Sequence, residues 1–255
     1  MQGYECDLAY VHDVGFGDFA REATPGLLAV LRSAGITQGL VVDLGCGSGI
    51  WASALIRRGY DVLGIDVSKA MIHLARRRAP AARFVQASLL VADLPSCDAV
   101  TSIGECLNYT FDQRNTRREL RKLFRRVYDA LRPGGVFVFD IAEPGQTPRR
   151  SHFVGKDWAI LFEAEPRSDF LIRRMTIFRR LGKLYRRSQE THQMRLYRST
   201  ELAAEVRYAG FSLRVLRAYG RFQLPPAHAV FVATKPRLKP APPKTRCGIV
   251  VEKSR

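Results

Sequence analysis

Between residues 39 and 141 the sequence alternates five short apolar runs with segments of helical periodicity. Runs of this length, separated by helices, are typical of parallel strands that are covered on both faces. The alternation therefore predicts an α/β fold in which a doubly wound, mainly parallel sheet carries helices on both sides. The runs are Leu40-Val-Val-Asp-Leu44, Val62-Leu-Gly-Ile-Asp66, Arg83-Phe-Val-Gln86, Ala99-Val-Thr-Ser-Ile103 and Val136-Phe-Val-Phe-Asp140.

Two segments between these runs carry the signals of helix starts. Thr116-x-x-Glu119 fits a capping box, and an apolar stripe follows it until Pro133-Gly134-Gly135 stops the helix. Ser68 is the expected N-cap of a second helix that extends to about Arg78. Both helices fall where crossovers between parallel strands are required.

Beyond residue 141 the pattern changes to extended segments of mixed polarity, at 158–162, 170–178 and 184–197. The turn Leu181-Gly182-Lys183 separates the last two segments, which favours an antiparallel insert after the fifth strand. A short helix at 200–209 and two apolar segments at 211–216 and 229–234 are expected to complete the main sheet.

A glycine-rich turn follows the first strand, in Asp43-Leu-Gly-Cys-Gly-Ser-Gly49. Glycine lets the backbone bend sharply and approach a ligand closely, because no Cβ occupies the space. Asp66 ends the second strand, 21 positions beyond Gly45, where a carboxylate can accept hydrogen bonds from two ribose hydroxyls. The spacing Gly-x-Gly-x-Gly, with no Lys-Ser/Thr after it, disfavours a nicotinamide dinucleotide or a nucleoside triphosphate.

These residues resemble the motifs of the class I S-adenosylmethionine (SAM)-dependent methyltransferases. Asp43-Leu-Gly-Cys-Gly-Ser-Gly49 is similar to their first motif, Gly64-Ile-Asp66-Val-Ser68 to their ribose-binding strand end, and Leu131-Arg-Pro-Gly-Gly135 to the turn before their fifth strand. The resemblance covers residues 36–141. It implies a Rossmann-like, seven-stranded sheet, SAM as the cofactor and S-adenosylhomocysteine (SAH) as its product.

The resemblance also implies a role for individual residues. The glycines of the turn would face the methionine moiety and the ribose, Asp43 would support the loop or the methionine amino group, and Asp66 would bind the ribose hydroxyls. Ser88 stands where the family commonly has an acidic residue for the adenine amino group. The expected cofactor-binding residues are Tyr10, Asp43, Gly45, Cys46, Gly47, Gly49, Asp66, Val67, Met71, Ala87, Ser88, Leu89 and Gly104.

Acceptor-binding residues are expected after the fourth strand and in the insert. Glu105, Asn108 and Tyr109 follow the fourth strand, and ligands bind at the carboxyl ends of strands in open α/β sheets. From the insert, Trp158 is expected to contribute to an apolar wall, and Arg187 either binds an acceptor carboxylate or phosphate or lies on a solvated face.

The insert also holds a candidate base. Glu190 and His192 would lie side by side on one face of a strand, where the imidazole is a plausible proton acceptor. With Tyr109 they are the expected catalytic residues, and a satisfied pair on a lid strand is the alternative.

Composition narrows the function classes without choosing among acceptors. The chain of 255 residues has 41 Lys and Arg against 24 Asp and Glu, a formal net charge of +17, which attracts anionic small molecules, nucleic acid or acidic surfaces alike. Five cysteines without a CxxC pair indicate neither a disulfide framework nor structural zinc, and no metal is expected. The N-terminus lacks a basic, apolar leader and no apolar stretch approaches about 18 residues, so we expect a cytoplasmic protein without a membrane segment.

The implied activity is methyl transfer by in-line displacement to an oxygen or nitrogen of a small-molecule acceptor. Nucleic acid is possible but less favoured, because the Asn/Asp-Pro-Pro-aromatic and Pro-Cys motifs of base methylases are missing. An RNA or protein methyltransferase, an enzyme that attacks another carbon of SAM, and a non-catalytic SAM binder remain alternatives. The oligomeric state also stays open.

We expect the chain to divide into five parts along its length. These are an N-terminal helical lid (1–35), a SAM-binding Rossmann-like core (36–141), an antiparallel insert that covers the acceptor site (142–198), the end of the core sheet (199–235) and a basic, disordered tail (236–255).

Overall fold

A computed structural model describes residues 3–237, so the expectation of a disordered tail concerns residues that lie almost entirely outside the described part. In chain order the elements are α1 (Cys6–Gly15), α2 (Asp18–Ser33), β1 (Gly39–Leu44), α3 (Ile50–Ile56), β2 (Tyr60–Asp66), α4 (Lys69–Arg78), β3 (Arg83–Gln86), β4 (Cys97–Ser102), α5 (Arg117–Ala130), β5 (Leu131–Ala142), β6 (Arg149–Val154), β7 (Trp158–Arg167), β8 (Phe170–Leu181), β9 (Leu184–Arg195), α6 (Ser199–Tyr208), β10 (Ser212–Leu216), β11 (Ala218–Tyr219), β12 (Phe222–Gln223) and β13 (His228–Thr234).

The main sheet has seven strands in the order β10-β13-β5-β4-β1-β2-β3. Strands β1 to β5 run parallel to one another, whereas β13 is antiparallel to β5 and β10 is antiparallel to β13. The predicted mainly parallel, seven-stranded sheet is thereby confirmed. Because the chain leaves β1 towards β2 on one side and later returns to β4 on the other, a crevice forms at the carboxyl ends of β1 and β4, where such sheets bind ligands.

Two apolar layers cover the sheet, one on each face. On one face α5 and α6 bury residues such as Phe124 and Val206 against Phe137, and on the other α2, α3 and α4 bury Leu27 and Trp51. This double coverage explains why the central strands are apolar throughout instead of alternating.

The predicted helix starts are confirmed by their caps. The side chain of Ser68 accepts a hydrogen bond from Met71 N at 3.1 Å, and that of Thr116 accepts one from Glu119 N at 3.4 Å. The predicted end of α5 needs correction, because the helix ends at Ala130 and residues 131–135 already belong to β5. A register shift between β4 and β5 accommodates this irregular strand start.

The insert after β5 is a four-stranded antiparallel sheet in the order β6-β7-β8-β9. The predicted antiparallel insert is therefore present, but the sequence pattern missed β6, whose residues include the exposed Arg149, Arg150 and His152 and form no apolar run. One face of this sheet packs on α1, where Leu8 and Val11 join Trp158 and Ile177 in a buried cluster. The helix α1 consequently lies between the core and the insert.

Candidate active site

A single cavity of about 910 Å³ opens at the carboxyl ends of the core strands. Its wall combines loops of the core, the inner face of the insert, Leu8 and His12 of α1, and Tyr4, which lies just before α1. Leu8 and His12 are four residues apart in sequence, which places them along one side of α1. The cavity falls within the size range of small-molecule binding sites.

The glycine-rich turn forms one end of this cavity. Gly45 and Gly47 have φ angles of 75° and 52°, in the left-handed region that favours glycine. A Cβ on Gly45 would lie 2.4 Å from Cys106 Sγ, whereas a Cβ on Gly47 would meet nothing within 4 Å. Gly47 thus exposes its backbone to the open space, which leaves room for a ligand to approach the main chain.

Asp66 stands beside this turn, as the sequence predicts for a ribose-binding carboxylate. Its Oδ2 accepts a hydrogen bond from Gly47 N and its Oδ1 one from Ser68 N, both at 2.8 Å. Burial raises the pKa of Asp66, and these backbone N–H groups oppose that shift. The two bonds fix the carboxylate in the cavity wall, and each oxygen keeps acceptor capacity because a carboxylate oxygen has two lone pairs.

Asp43 lies deeper, beneath the turn. Its Oδ1 accepts a hydrogen bond of 2.7 Å from Thr101 Oγ1, which in turn accepts one of 3.1 Å from Trp51 Nε1. The side chain is buried, and this burial raises its pKa to about 7. Asp43 therefore anchors β1 to β4 under the loop, in keeping with a supporting role.

The end of the cavity that holds the glycine-rich turn is also lined by Val67, Met71, Ala87, Ser88 and Leu89. All five are residues that the sequence predicts as cofactor contacts, and the structure brings them together.

Ser88 has a carboxylate neighbour that sequence reasoning missed. The Ser88 hydroxyl accepts a hydrogen bond from Leu90 N at 3.2 Å. Asp112, from the loop before α5, lies in the same wall, and hydrogen bonds from Arg114 and from the Ser88 side chain lower its pKa to about 2. The residues after the third strand do not predict Asp112, because it comes from a different part of the chain.

A buried ionic cluster lies at the end of β4. Glu105 accepts hydrogen bonds from Arg173 Nη1 at 2.6 Å and Nη2 at 3.0 Å, and from His228 Nε2 at 2.6 Å. Despite burial, the positive charge and hydrogen bonds of Arg173 and His228 lower the pKa of Glu105 to about 2. Glu105 has a φ of 62°, and such a conformation costs a non-glycine residue about 1–3 kcal/mol. The hydrogen bonds from Arg173 and His228 hold this carboxylate in one orientation.

A second polar group faces the same space from the insert. His192 is buried, with 3% exposure, and its Nε2 lies 2.9 Å from Glu190 Oε2. Glu190 Oε1 also accepts a hydrogen bond of 3.0 Å from Glu5 N. The predicted adjacency of Glu190 and His192 is thus observed. The Tyr109 hydroxyl lies 3.0 Å from that of Tyr4, and their rings pack edge-on against His192.

Six predicted site residues do not line the cavity. Tyr10 points to the insert, where its hydroxyl donates to Asp157 Oδ2 at 2.8 Å, because the helical phase of α1 directs Leu8 and His12 inwards instead. Asn108 is buried and ties Ala142 O to Arg195 O. The remaining four are Trp158, which packs on α1, Arg187, which is exposed, Gly49, which packs on Ala75, and Glu190, which lies behind His192.

Conversely, several lining residues are not among the predicted site residues. Arg173, His228 and Tyr4 come from three distant segments and meet only through the fold. His12 is another, and burial lowers its pKa to about 4, so that it is neutral near pH 7. Among the described residues no cluster of three or more His, Cys, Asp or Glu side chains is suited to hold a metal ion. No helix in this part of the chain has the length and apolarity to span a bilayer.

Comparisons with known proteins identify the class. A family profile described as "Methyltransferase domain" matches residues 41–135. The chain is 32% identical over 143 residues to the uncharacterized methyltransferase YdaC of Bacillus subtilis, which covers 52% of this chain and 75% of that protein. It is 37% identical over 110 residues to trans-aconitate 2-methyltransferase of Paracidovorax citrulli, covering 42% and 40% of the two chains.

Solved structures agree on the fold. DesVI of Streptomyces venezuelae aligns with a TM-score of 0.76 at 22% identity, over 90% of this chain and 99% of that one. SAM-bound CalS10, an amino pentose methyltransferase of Micromonospora echinaspora, aligns with a TM-score of 0.73 at 19% identity, over 92% and 99%. The chain belongs to the class I SAM-dependent methyltransferases and is an enzyme of that class.

Proposed function

We propose that this enzyme transfers the methyl group of SAM, by in-line displacement, to an oxygen or nitrogen of a small-molecule acceptor held beneath the insert. The observation that carries the proposal is the continuity of the cavity. One space joins the glycine turn and Asp66 to the polar groups Glu105, Tyr109 and His192 under the insert.

The part of the cavity beside the glycine-rich turn, which we call the cofactor half, has residues that fit SAM. Gly47 leaves open space at the turn, Asp66 offers a fixed carboxylate, and Met71 supplies an apolar wall in the region assigned to adenine. When bound, SAM supplies a methyl group on a sulfonium, which departs as a neutral thioether. The chain then has to align the acceptor and exclude water, which are effects that provide large rate accelerations without a metal.

His192 is the candidate proton acceptor. Glu190 only accepts hydrogen bonds, so its contact with Nε2 places a proton on that nitrogen, and Nδ1 is the ring atom that can accept a further proton. Nδ1 has no hydrogen-bond partner among the described residues, and His192 lines the cavity. An acceptor that arrives protonated therefore has an imidazole nitrogen within the enclosed space to take its proton. Tyr109 and Tyr4 hold the imidazole in place by packing against its ring.

The enclosure of the site supports a small acceptor. The helix α1 lies on one side of the cavity and the sheet β6–β9 on another, and His192 is buried beneath both. A buried base is accessible to a molecule that enters the cavity and not to a residue presented on a large surface. The structural likeness to CalS10, an amino pentose methyltransferase, supports the same size class.

The test is to incubate the purified enzyme with methyl-labelled SAM and, separately, with a metabolite extract, total RNA or total protein. Label in the metabolite fraction, detected by mass spectrometry, is the expected outcome. Label confined to RNA or protein would contradict the small-molecule proposal, and consumption of SAM without methyl transfer would indicate attack at another carbon.

The same assay tests the base. We expect His192→Asn to lower methyl transfer about 100-fold, in line with general-base contributions, without weakening SAH binding. His152→Asn is the matched control, because His152 is exposed on β6. Unchanged turnover in His192→Asn would remove this residue from the proton transfer.

A further inference from the structure

The inner face of the insert presents an apolar wall to the acceptor half of the cavity. Ile160 and Phe162 of β7, Leu171 and Met175 of β8, and Phe153 of β6 all line it. In β7 and β8 these residues alternate along the strands, so the outward face carries the other set. An acceptor beneath this wall gains most by burying an apolar body there.

The ionic cluster at the end of the wall places two cations around the carboxylate of Glu105. His228 Nδ1 lies 2.9 Å from Pro226 O, and its Nε2 lies 2.6 Å from Glu105 Oε1. Both partners only accept hydrogen bonds, so both ring nitrogens carry protons and His228 is an imidazolium. One carboxylate, Glu105, is thus shared by two cations, His228 and Arg173.

The carboxylates near this cluster are already engaged. Glu105 Oε1 accepts two hydrogen bonds, and Oε2 accepts one from Arg173 at 2.6 Å. Asp140, which also lines the cavity, accepts hydrogen bonds from Gly104 N, Glu105 N and the Tyr219 hydroxyl. A protonated amine would enter beside two cations and the sulfonium of SAM, and the two carboxylates there, Glu105 and Asp140, already accept hydrogen bonds from protein donors. Such like-charge contacts in a desolvated site are costly.

We infer that this site selects an acceptor with an apolar body and a hydroxyl or carboxylate head group, methylates it on oxygen, and excludes acceptors that arrive as ammonium ions. The inference rests on the proposed function and names its substrate class. In the transfer, the oxygen–methyl bond forms as the methyl–sulfur bond breaks, and sulfur keeps the electron pair. A hydroxyl proton passes to His192 Nδ1, whereas a carboxylate has none to lose.

Three probes with one apolar body test this selection directly. They are biphenyl-4-ol, biphenyl-4-carboxylate and biphenyl-4-ylmethanamine, and their binding to the SAH-loaded enzyme is measured by calorimetry near pH 7. The hydroxyl and carboxylate probes are expected to bind at least about tenfold more tightly than the ammonium probe. Equal or tighter binding of the ammonium probe overturns the inference, and so does failure of all three probes to bind an enzyme that binds SAH.

Two variants test whether the ionic cluster causes the preference. Arg173→Met and His228→Asn each remove one cation beside Glu105, so the ratio of carboxylate to ammonium affinity is expected to fall about tenfold in each. Arg174→Met is the matched control, because the neighbouring Arg174 is exposed and pairs with Glu165 at 2.9 Å. Unchanged ratios in both folded cluster variants contradict the inference.

The proposed function fails in a different way. If the wild-type enzyme binds no SAH, the methyl-transfer proposal itself is wrong. If SAH binds and label from SAM appears in an N-methyl product of the metabolite extract, methyl transfer stands and only the preference for oxygen is overturned.

Discussion

Asp61 and Asp66 occupy opposite ends of β2, and only Asp66 faces the cavity. Asp61 is exposed, whereas Asp66 is held by Gly47 N and Ser68 N. The two positions share a strand and a residue type, so comparing them isolates the effect of location.

We expect Asp66→Asn to weaken SAH binding by about tenfold or more. The amide replaces one carboxylate oxygen by an N–H₂ group, so one backbone N–H loses its acceptor and the ribose loses a charged partner. Calorimetric titration with SAH measures the effect, and Asp61→Asn should bind SAH like the wild type. Wild-type affinity in a folded Asp66→Asn enzyme would reject the ribose assignment.

Asp43 provides a prediction about pH. Its pKa in the folded enzyme is about 7, above the ordinary value, because burial disfavours the charged carboxylate. In the unfolded chain Asp43 ionises at its ordinary pKa, whereas in the folded chain it stays protonated up to about pH 7. The free energy of unfolding therefore falls as the pH rises from the ordinary pKa towards about 7. The contribution of Asp43 to the free energy of unfolding should fall by about 3 kcal/mol between about pH 5 and about pH 7.5, since one pKa unit is about 1.4 kcal/mol.

Asp43→Asn keeps a hydrogen-bond acceptor for Thr101 and cannot ionise. Urea unfolding of the wild type and the variant at the two pH values isolates the contribution of Asp43 to the free energy of unfolding, because the other titrating groups are common to both. The variant is expected to become more stable relative to the wild type as the pH rises. Parallel pH profiles would show that Asp43 ionises normally in the folded enzyme.

Among the elements, α1 has ionic contacts on two sides. Towards the insert, Asp7 pairs with Arg186 and Arg179, and Asp7 is 5% exposed. Towards the core, Asp13 pairs with Arg78 of α4 through bonds of 2.6 and 2.9 Å. Arg78 Nη1 also donates to Ser48 O and Ser48 Oγ, in the glycine-rich turn. One guanidinium thereby joins α1 to the glycine-rich turn.

The position of α1 and cofactor binding are therefore expected to be coupled through Arg78. We predict that Arg78→Met weakens SAH binding about fivefold or more, although neither Arg78 nor Asp13 lines the cavity. Calorimetric titration with SAH gives the affinity, and Arg77→Met on the exposed face of α4 is the control. Asp13→Asn should weaken binding similarly, and adding it to Arg78→Met should cause little further loss, because both remove the same ion pair. Additive losses would show that the two residues act separately.

The sequence predicts elements whose signals are local and misses those set by packing. The strand ends at Leu44 and Asp66 and the caps Ser68 and Thr116 follow from neighbouring residues alone. The side of α1 that faces the cavity does not follow from neighbouring residues, because both sides of this helix are covered. The sequence therefore gives no reason to choose Tyr4 over Tyr10 as the cavity-facing tyrosine. The cluster of Glu105, Arg173 and His228 likewise cannot be predicted from the sequence, since its members are separated by 55 residues or more.

For the whole molecule, the insert is joined to the core by more than its two chain connections. Asn108 Nδ2 donates to Ala142 O of β5 at 2.9 Å and to Arg195 O of β9 at 2.7 Å. Tyr109 forms a bridge with Met194, and Thr110 N donates to Gln193 O at 3.0 Å. Together with α1, these bonds should make core and insert unfold as one unit.

A ligand that binds the core half should then stabilise the entire chain. SAH at about 100 times its Kd is expected to add about 2.7 kcal/mol, which corresponds to a rise in Tm of roughly 5–10 °C for a chain of this size. Differential scanning calorimetry should show one transition that shifts as a whole, and Asp66→Asn at the same SAH concentration should shift less. Two transitions, with only one responding to SAH, would mean that the insert unfolds independently of the core.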